Sequence, residues 1–152
     1  MSIKSFRESS LLLYENGKYF ESLTLACIAI DACAAILYPG ENVTKRNKRF
    51  LKDYFRIICK HGFPGVQASH IRIKLNVEID NLKKDEQGYV DMEQIIYHTI
   101  RCGLVHETTI DKRIQFTNQT MIGDFNSDQF LLPKDIIFGL IKAVDEAIRI
   151  IK

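Results

Sequence analysis

The chain is predicted to be all-α: a bundle of four or five helices in a single domain over 1–152, with a small β-hairpin before the last helix. Three observations predict this. Apolar residues recur at helical spacing along most of the chain. The stretch from Lys112 to Leu132 departs from that spacing, with two short apolar runs on either side of a Gly/Asn/Asp-rich turn. The composition is 46% hydrophobic and 26% charged, ordinary for a soluble globular protein, and 152 residues suffice for one core but are short for two.

The elements follow in order. Ser2 is placed to cap a helix from Ile3 to Glu15, with Ile3, Phe6, Ser10, Leu13 and Tyr14 on one face, and Asn16-Gly17 ends it. A long helix then runs from Lys18 to Tyr38. Tyr19, Leu23, Ala26, Ile30, Cys33, Ala34 and Leu37 form its stripe, and Leu25, Ile28, Ala29, Ala32 and Ile36 fill most of the rest, which makes it central. Pro39-Gly40 stops it. A third helix runs from Thr44 to Lys60 on Phe50, Leu51, Tyr54, Ile57 and Ile58. His61 to Gly65 is a loop. Ser69 to Asp80 alternates Ile71, Ile73, Leu75 and Val77 like a strand, but a short helix also fits. Asn81 to Gly88 is a polar loop. Asp91 caps a helix ending near Glu107. Lys112 to Asn118 and Asp128 to Leu132 read as strands joined by a turn around Gly123 to Ser127. Pro133 suits the first turn of the final helix, whose stripe is Ile137, Leu140, Ile141, Val144, Ala147, Ile148 and Ile151.

The net charge of +2 excludes a polybasic tail or an acidic solvating domain and leaves room for a local basic groove. Cys27, Cys33, Cys59 and Cys102 contain no Cys-x-x-Cys, so a zinc knuckle or thioredoxin-type motif is unsupported. Buried, reduced thiols are expected for those in helical patterns. Leu11-Leu12-Leu13 is too short for a signal peptide. The most apolar stretch, Leu23 to Tyr38, contains Asp31 and falls short of the roughly 20 residues of a membrane span. The expectation is a cytoplasmic protein without membrane association. Asp124 to Asp135 imitates a calcium loop, but Gln129 replaces the glycine that the turn needs and Pro133 interrupts it. No metal site, phosphate loop or cofactor motif is found.

The informative helix is the one opened by Asp91. At about 100° per residue, Ile95, Ile96, Thr99, Ile100 and Gly103 form a core face with Leu104 at its edge. A second face carries Arg101, Val105, His98, Cys102 and His106. That mixture suits neither a solvated face nor a core face, and a groove or a partner subunit is its natural neighbour.

Here Arg101-Cys-Gly-Leu-Val-His106 resembles the Arg-x(4–6)-His signature of the HEPN superfamily. The motif lies on the helix before the closing one and is followed by Glu107. The central helix with its ACIAIDACA segment is similar to the second helix of that bundle. The resemblance implies a HEPN-like fold and a homodimer whose two Arg/His pairs face one cleft. It also implies a metal-independent endoribonuclease of a toxin–antitoxin or phage-defence system, with RNA as substrate and an antitoxin or other protein as a possible partner. Where the family usually has Asn, Asp or His after the arginine, this chain has Cys102, which favours an alternative: a non-catalytic HEPN module binding nucleotide, RNA or a partner protein. Thr108 stands where an adenylylated variant of the family carries tyrosine. Arg56 and His61 also satisfy the spacing but run into the Gly-Phe-Pro-Gly loop.

The chemistry fits on its own terms. RNA carries an internal nucleophile, the 2′-OH. A histidine near neutral pKa can take its proton or protonate the leaving 5′-oxygen, and an arginine can stabilise the charge that develops on phosphorus. Arg101 and His106 are the candidate catalytic pair, with Cys102, His98 and Asp31 supporting. Asp31, a carboxylate in an apolar helix, needs a partner, either Arg101 or another base. Lys45, Arg46, Lys48, Arg49 and Lys52 crowd the start of the third helix, where they either contact phosphates or form a solvated face. Basic charge there opposes the helix dipole.

Overall fold

Ser2 opens the first helix as anticipated. Its hydroxyl accepts from the Ser5 N–H at 3.1 Å, satisfying one of the donors that a helix start leaves unpaired. This helix, α1 (Ile3–Glu15), closes on Gly17 at φ +74°. The N–H groups of Gly17 and Lys18 bond back to the Tyr14 and Leu13 carbonyls at 3.1 and 2.8 Å, the arrangement in which a left-handed residue ends a helix. The computed structural model describes residues 2–63, 65–66, 68–75, 82–101, 114–118 and 130–152, with the side chains of 99–101, 114 and 130 outside that description. Among them the protein is mostly helical, with two small two-stranded sheets.

α2 (Tyr19–Leu37) buries Leu23, Ala26, Ile30, Cys33 and Ala34 of its predicted stripe. It is long and apolar enough to cross a membrane by length and composition, but it packs against α1, against α3 (Val43–Asp53) and against α6 (Asp135–Ile151). Cys27, Cys33 and Cys59 are buried and not disulfide-bonded, and burial pushes the Cys33 thiol up to about 11. Two fully buried serines pin α1 to α2. The Ser10 hydroxyl donates to the Ser22 carbonyl and the Ser22 hydroxyl to the Ser10 carbonyl, each at 2.7 Å. Ser22→Ala removes one donor and is expected to cost about 1 kcal/mol, read as a lower urea midpoint at unchanged slope.

The expected third helix is two. α3 gives way at Tyr54 (φ −100°, ψ 9°) to α4 (Phe55–Gly62). The buried positions explain the break. Phe50, Leu51, Tyr54, Phe55, Ile58, Cys59 and Phe63 recur in pairs every four residues, longer than the 3.6-residue helical period. A straight helix would carry the later pairs round toward solvent, and the step at Tyr54 restores the phase. His61 is therefore in α4, not in a loop.

The ambiguous segment forms a strand, β1 (Arg72–Lys74), antiparallel to β2 (Tyr89–Asp91) with Ile73 opposite Val90. Ile73 and Val90 are buried while Arg72 and Lys74 point outward, the period-two pattern of a half-buried strand. This small hairpin lies earlier in the chain than the predicted one. The strands expected before the last helix are present as β3 (Ile114–Thr117) and β4 (Phe130–Pro133), but they pair in parallel, Ile114 opposite Phe130. A parallel pair needs a connection of about a dozen residues, and 12 residues separate Thr117 from Phe130 in the sequence. The predicted turn at 123–127 lies outside the described residues. Pro133 ends β4 instead of opening the helix. It has no N–H to give the ladder, and Lys134 N–H makes the next bond, to the Thr117 carbonyl at 2.8 Å.

The helix opened by Asp91 begins as α5 (Met92–Ile95) and widens into a π-helical stretch over Ile96–Arg101. Wider turns change which residues share a face. Ile95 and Ile96 are buried as predicted, but Tyr97 is buried with them.

α6 closes the core with Ile136, Ile137, Leu140, Ile141, Val144 and Ala147. It packs on α4, α2 and α1. Arg7 clamps it to α1 through a two-pronged pair with Asp145, at 2.5 and 2.8 Å. Against α4 the approach is closest at Gly139, where an added Cβ would lie 2.4 Å from the Ile58 carbonyl oxygen.

Candidate functional site

β1, β2 and the start of the Asp91 helix enclose a cleft of about 600 Å³ with α3 at its edge. Strand alternation puts Arg72 on its wall, the loop before β2 adds Lys83, Lys84 and Asp85, and the helix adds Gln94 and His98. Lys48 reaches it from α3, with its ammonium 5.6 Å from the centre of the Tyr97 ring. Tyr97 is in turn hydrogen-bonded to Thr44 at 3.0 Å.

The electrostatics of the lining are uneven. Arg72 is held by Asp85 at 2.5 Å and by Asp91 at 3.3 Å, and His70 lies 3.1 Å from Asp91. The Tyr89 N–H, the Gln87 N–H and Arg72 hold the Asp85 carboxyl below its ordinary range. The carboxylates of the lining thus face Arg72. Lys48, Lys83 and Lys84 add three ammonium groups to the same lining, beside the imidazole of His98, and basic groups in a concave site draw anions.

The sequence-predicted residues distribute as follows. His98 lines the cleft, half-buried, with its ring edge-on to Tyr97 at 5.0 Å between centres. Arg101 is the last residue of the π-helical stretch, three residues beyond His98; its side chain, Cys102 and His106 lie outside the described residues. Asp31 accepts from Arg46 at 3.1 Å and from Asn47 at 2.7 Å, so a base of α3 is among its partners. The basic run divides. Arg46 is on Asp31, while Arg49 pairs with Glu41 at 2.7 Å and lies over the Tyr38 ring. Lys48 enters the cleft, Lys45 is exposed at the helix start, and Lys52 is exposed elsewhere on α3. Sequence reasoning missed Arg72, Lys83 and Lys84. The signal was present: the alternation of Ile71, Ile73 and Leu75 sends Arg72 to the opposite face, toward the Lys83-Lys84 pair of the polar loop. Among the described residues no three His, Cys, Asp or Glu side chains gather as a metal site.

Both described histidines with resolved shifts resist protonation. Burial lowers the pKa of His98, helped by Lys48, and burial lowers that of His61, helped by Lys142 and Lys60. Depressed folded values mean that the unfolded chain takes up protons the fold resists. Their contribution to stability is full above the unfolded value of 6.5 and falls as pH drops through it toward the folded values. The urea midpoint is expected to decrease from about pH 7 to about pH 5.5. The double variant His61→Gln, His98→Gln is expected to flatten that part of the profile.

Fold and cleft together define a small, mostly helical domain with a basic, histidine-lined cleft. The chain belongs to the Rv1289 family, whose model matches residues 2–145. No curated protein and no solved structure matches it.

Proposed function

We propose that the protein is a metal-independent endoribonuclease of HEPN type, acting as a homodimer in a toxin–antitoxin or phage-defence setting, with Arg101 and His106 at the reacting phosphate. One observation carries this reading. The basic cleft ends on His98, and the same helical stretch reaches Arg101 three residues later. An RNA strand drawn in by Lys48, Lys83 and Lys84 would meet His98, three residues before Arg101, where the motif begins.

The reaction needs only groups that this chain and RNA supply. The 2′-oxygen loses its proton to a histidine and attacks phosphorus, forming the new P–O bond. The P–O5′ bond breaks, and a second histidine protonates the departing 5′-oxygen. The products are a 2′,3′-cyclic phosphate and a 5′-hydroxyl. Across a dimer the two copies of His106 serve as base and acid. Arg101 donates to the non-bridging oxygens as their charge grows, where a planar fork is better than a point charge.

The test is incubation of purified protein with end-labelled RNA in EDTA, with analysis of product ends. Cleavage that persists in chelator and leaves cyclic phosphates supports the reading. Cleavage that stops in EDTA and returns with a divalent ion overturns it. The second reading, a non-catalytic binding module, is favoured by Cys102, which stands where the motif usually carries a polar residue able to hold the arginine. RNA that is bound but left intact in every condition would establish it.

A further inference from the structure

Asp91-Met-Glu-Gln94 has the spacing of a capping box, in which the first side chain caps the helix and the fourth reaches back to it. The box is not built. Asp91 makes no side-chain cap bond, and its carboxylate meets Arg72 at 3.3 Å and His70 at 3.1 Å instead. Among the described residues the Gln94 amide has no hydrogen-bond partner. It stands half-buried in the wall of the cleft, four residues before His98.

Two flat groups line the same cleft. Arg72 is held by Asp85 at 2.5 Å and by Asp91, so its charge is already matched. A guanidinium fixed in this way serves as a plane on which a ring stacks rather than as a phosphate contact. Tyr89, on the neighbouring strand, is 36% exposed, and Leu82 adds apolar surface. Walls of this kind take a planar heterocycle, and about 600 Å³ holds one.

The amide decides which ring. It sets a donor beside an acceptor, the complement of adenine, whose N6 amino group donates and whose N7 accepts. Guanine turns two acceptors to that edge, and a pyrimidine has less surface for Arg72 and Tyr89 to cover. Resting on the ribonuclease reading, we infer that Gln94 determines base specificity: it reads an adenine of the RNA that stacks on Arg72 and Tyr89, so that cleavage falls beside adenine. Gln94 then selects the RNA that is bound and leaves proton transfer to the histidines.

The experiment measures binding alone, using 2′-O-methyl tetranucleotides of each base, which lack the nucleophile and stay intact. The adenine oligomer is expected to bind roughly 5- to 150-fold tighter than the other three, the discrimination that a bidentate pair provides. Replacing adenine by 7-deaza-adenine, which lacks the N7 acceptor, should remove most of that advantage. Gln94→Ala should bind all four alike. Gln94→Glu loses the donor, and preference should pass to cytosine, whose N4 amino group meets a carboxylate; a misfolded variant cannot show such a gain. Tyr89→Ala should weaken all four oligomers, and Tyr89→Phe none. Equal affinity of the native protein for the four, or the native ranking kept by Gln94→Ala, would overturn the assignment. AMP binding as tightly as the adenine oligomer would transfer the site to a free nucleotide and overturn RNA as the source of the base. Because no bond is broken in this assay, a protein that prefers adenine and leaves ordinary RNA intact loses the ribonuclease reading and keeps the base site.

Discussion

His106→Ala is expected to remove EDTA-resistant RNA cleavage, lowering the rate by roughly 100- to 10,000-fold, the range that a positioned general acid or base contributes. In a homodimer the substitution deletes both proton-transfer groups at once, which places the effect toward the upper end. Arg101→Ala should fall as far if the guanidinium meets charge that exists only in the transition state, and in that case KM changes less than kcat. Arg101→Lys should recover only part of the loss, because an ammonium keeps the charge but not the two-pronged fork. Arg56 and His61 provide the control, since they satisfy the same spacing. Arg56 is exposed, while His61 meets Phe138 of α6 edge-on at 5.8 Å. Arg56→Ala and His61→Ala should cleave at the native rate. Native-rate cleavage by His106→Ala would end the assignment.

The largest expected loss of stability from a single added atom group is at Gly139. An alanine there places its Cβ 2.4 Å from the Ile58 carbonyl oxygen and 3.1 Å from the Gly62 nitrogen. Both are backbone atoms of α4 and cannot swing aside as the tip of a flexible side chain would. The helices must separate, and the packing of Ile136, Leu140 and Ile58 loosens with them. Overpacking of a well-filled core costs about 1–3 kcal/mol and occasionally more. Gly139→Ala should reach at least the top of that range despite the gain in helix propensity of about 1 kcal/mol. Thermal unfolding should show it as a drop in Tm of about 6–12 °C for a chain of this size. A Gly139→Ala protein as stable as the native one would show that the two helices do not approach this closely.

The helical part of the fold was legible where local chemistry and burial agree. Ser2 and Asn16-Gly17 mark the ends of α1, and the stripes of α2 and α6 are the ones buried. What escaped was set by tertiary packing. The break at Tyr54 follows from a burial period that the apolar pattern of 50–58 is too short to show. The π-helical widening at Ile96 replaces the 100° step on which the faces of that helix had been drawn, so Tyr97 entered the core unannounced. The direction of β3 relative to β4 depends on the path of the connection, and a turn-like composition between two strands does not specify it. At the site, His98 and Lys48 were legible as chemistry. Their meeting with Arg72, Lys83 and Lys84 was not, because it needs the β1–β2 pairing. Asp31 was left between two kinds of partner, and Arg46 proves to be one of them. Arg101 was legible as the motif's first residue, while Cys102 and His106 fall beyond the described residues.

The placement of α6 has a consequence for how the protein is made. The helix that supplies much of the buried surface to α1, α2 and α4 is the last of these elements to be synthesised. The α1–α2 pair is local in sequence and can lock through Ser10 and Ser22 soon after it leaves the ribosome. The apolar sides of α2 and α4 must then wait for α6, on the order of ten seconds at bacterial to eukaryotic elongation rates. During that interval the apolar sides of α2 and α4 lack the helix that covers them, the kind of transiently exposed surface on which chaperones act.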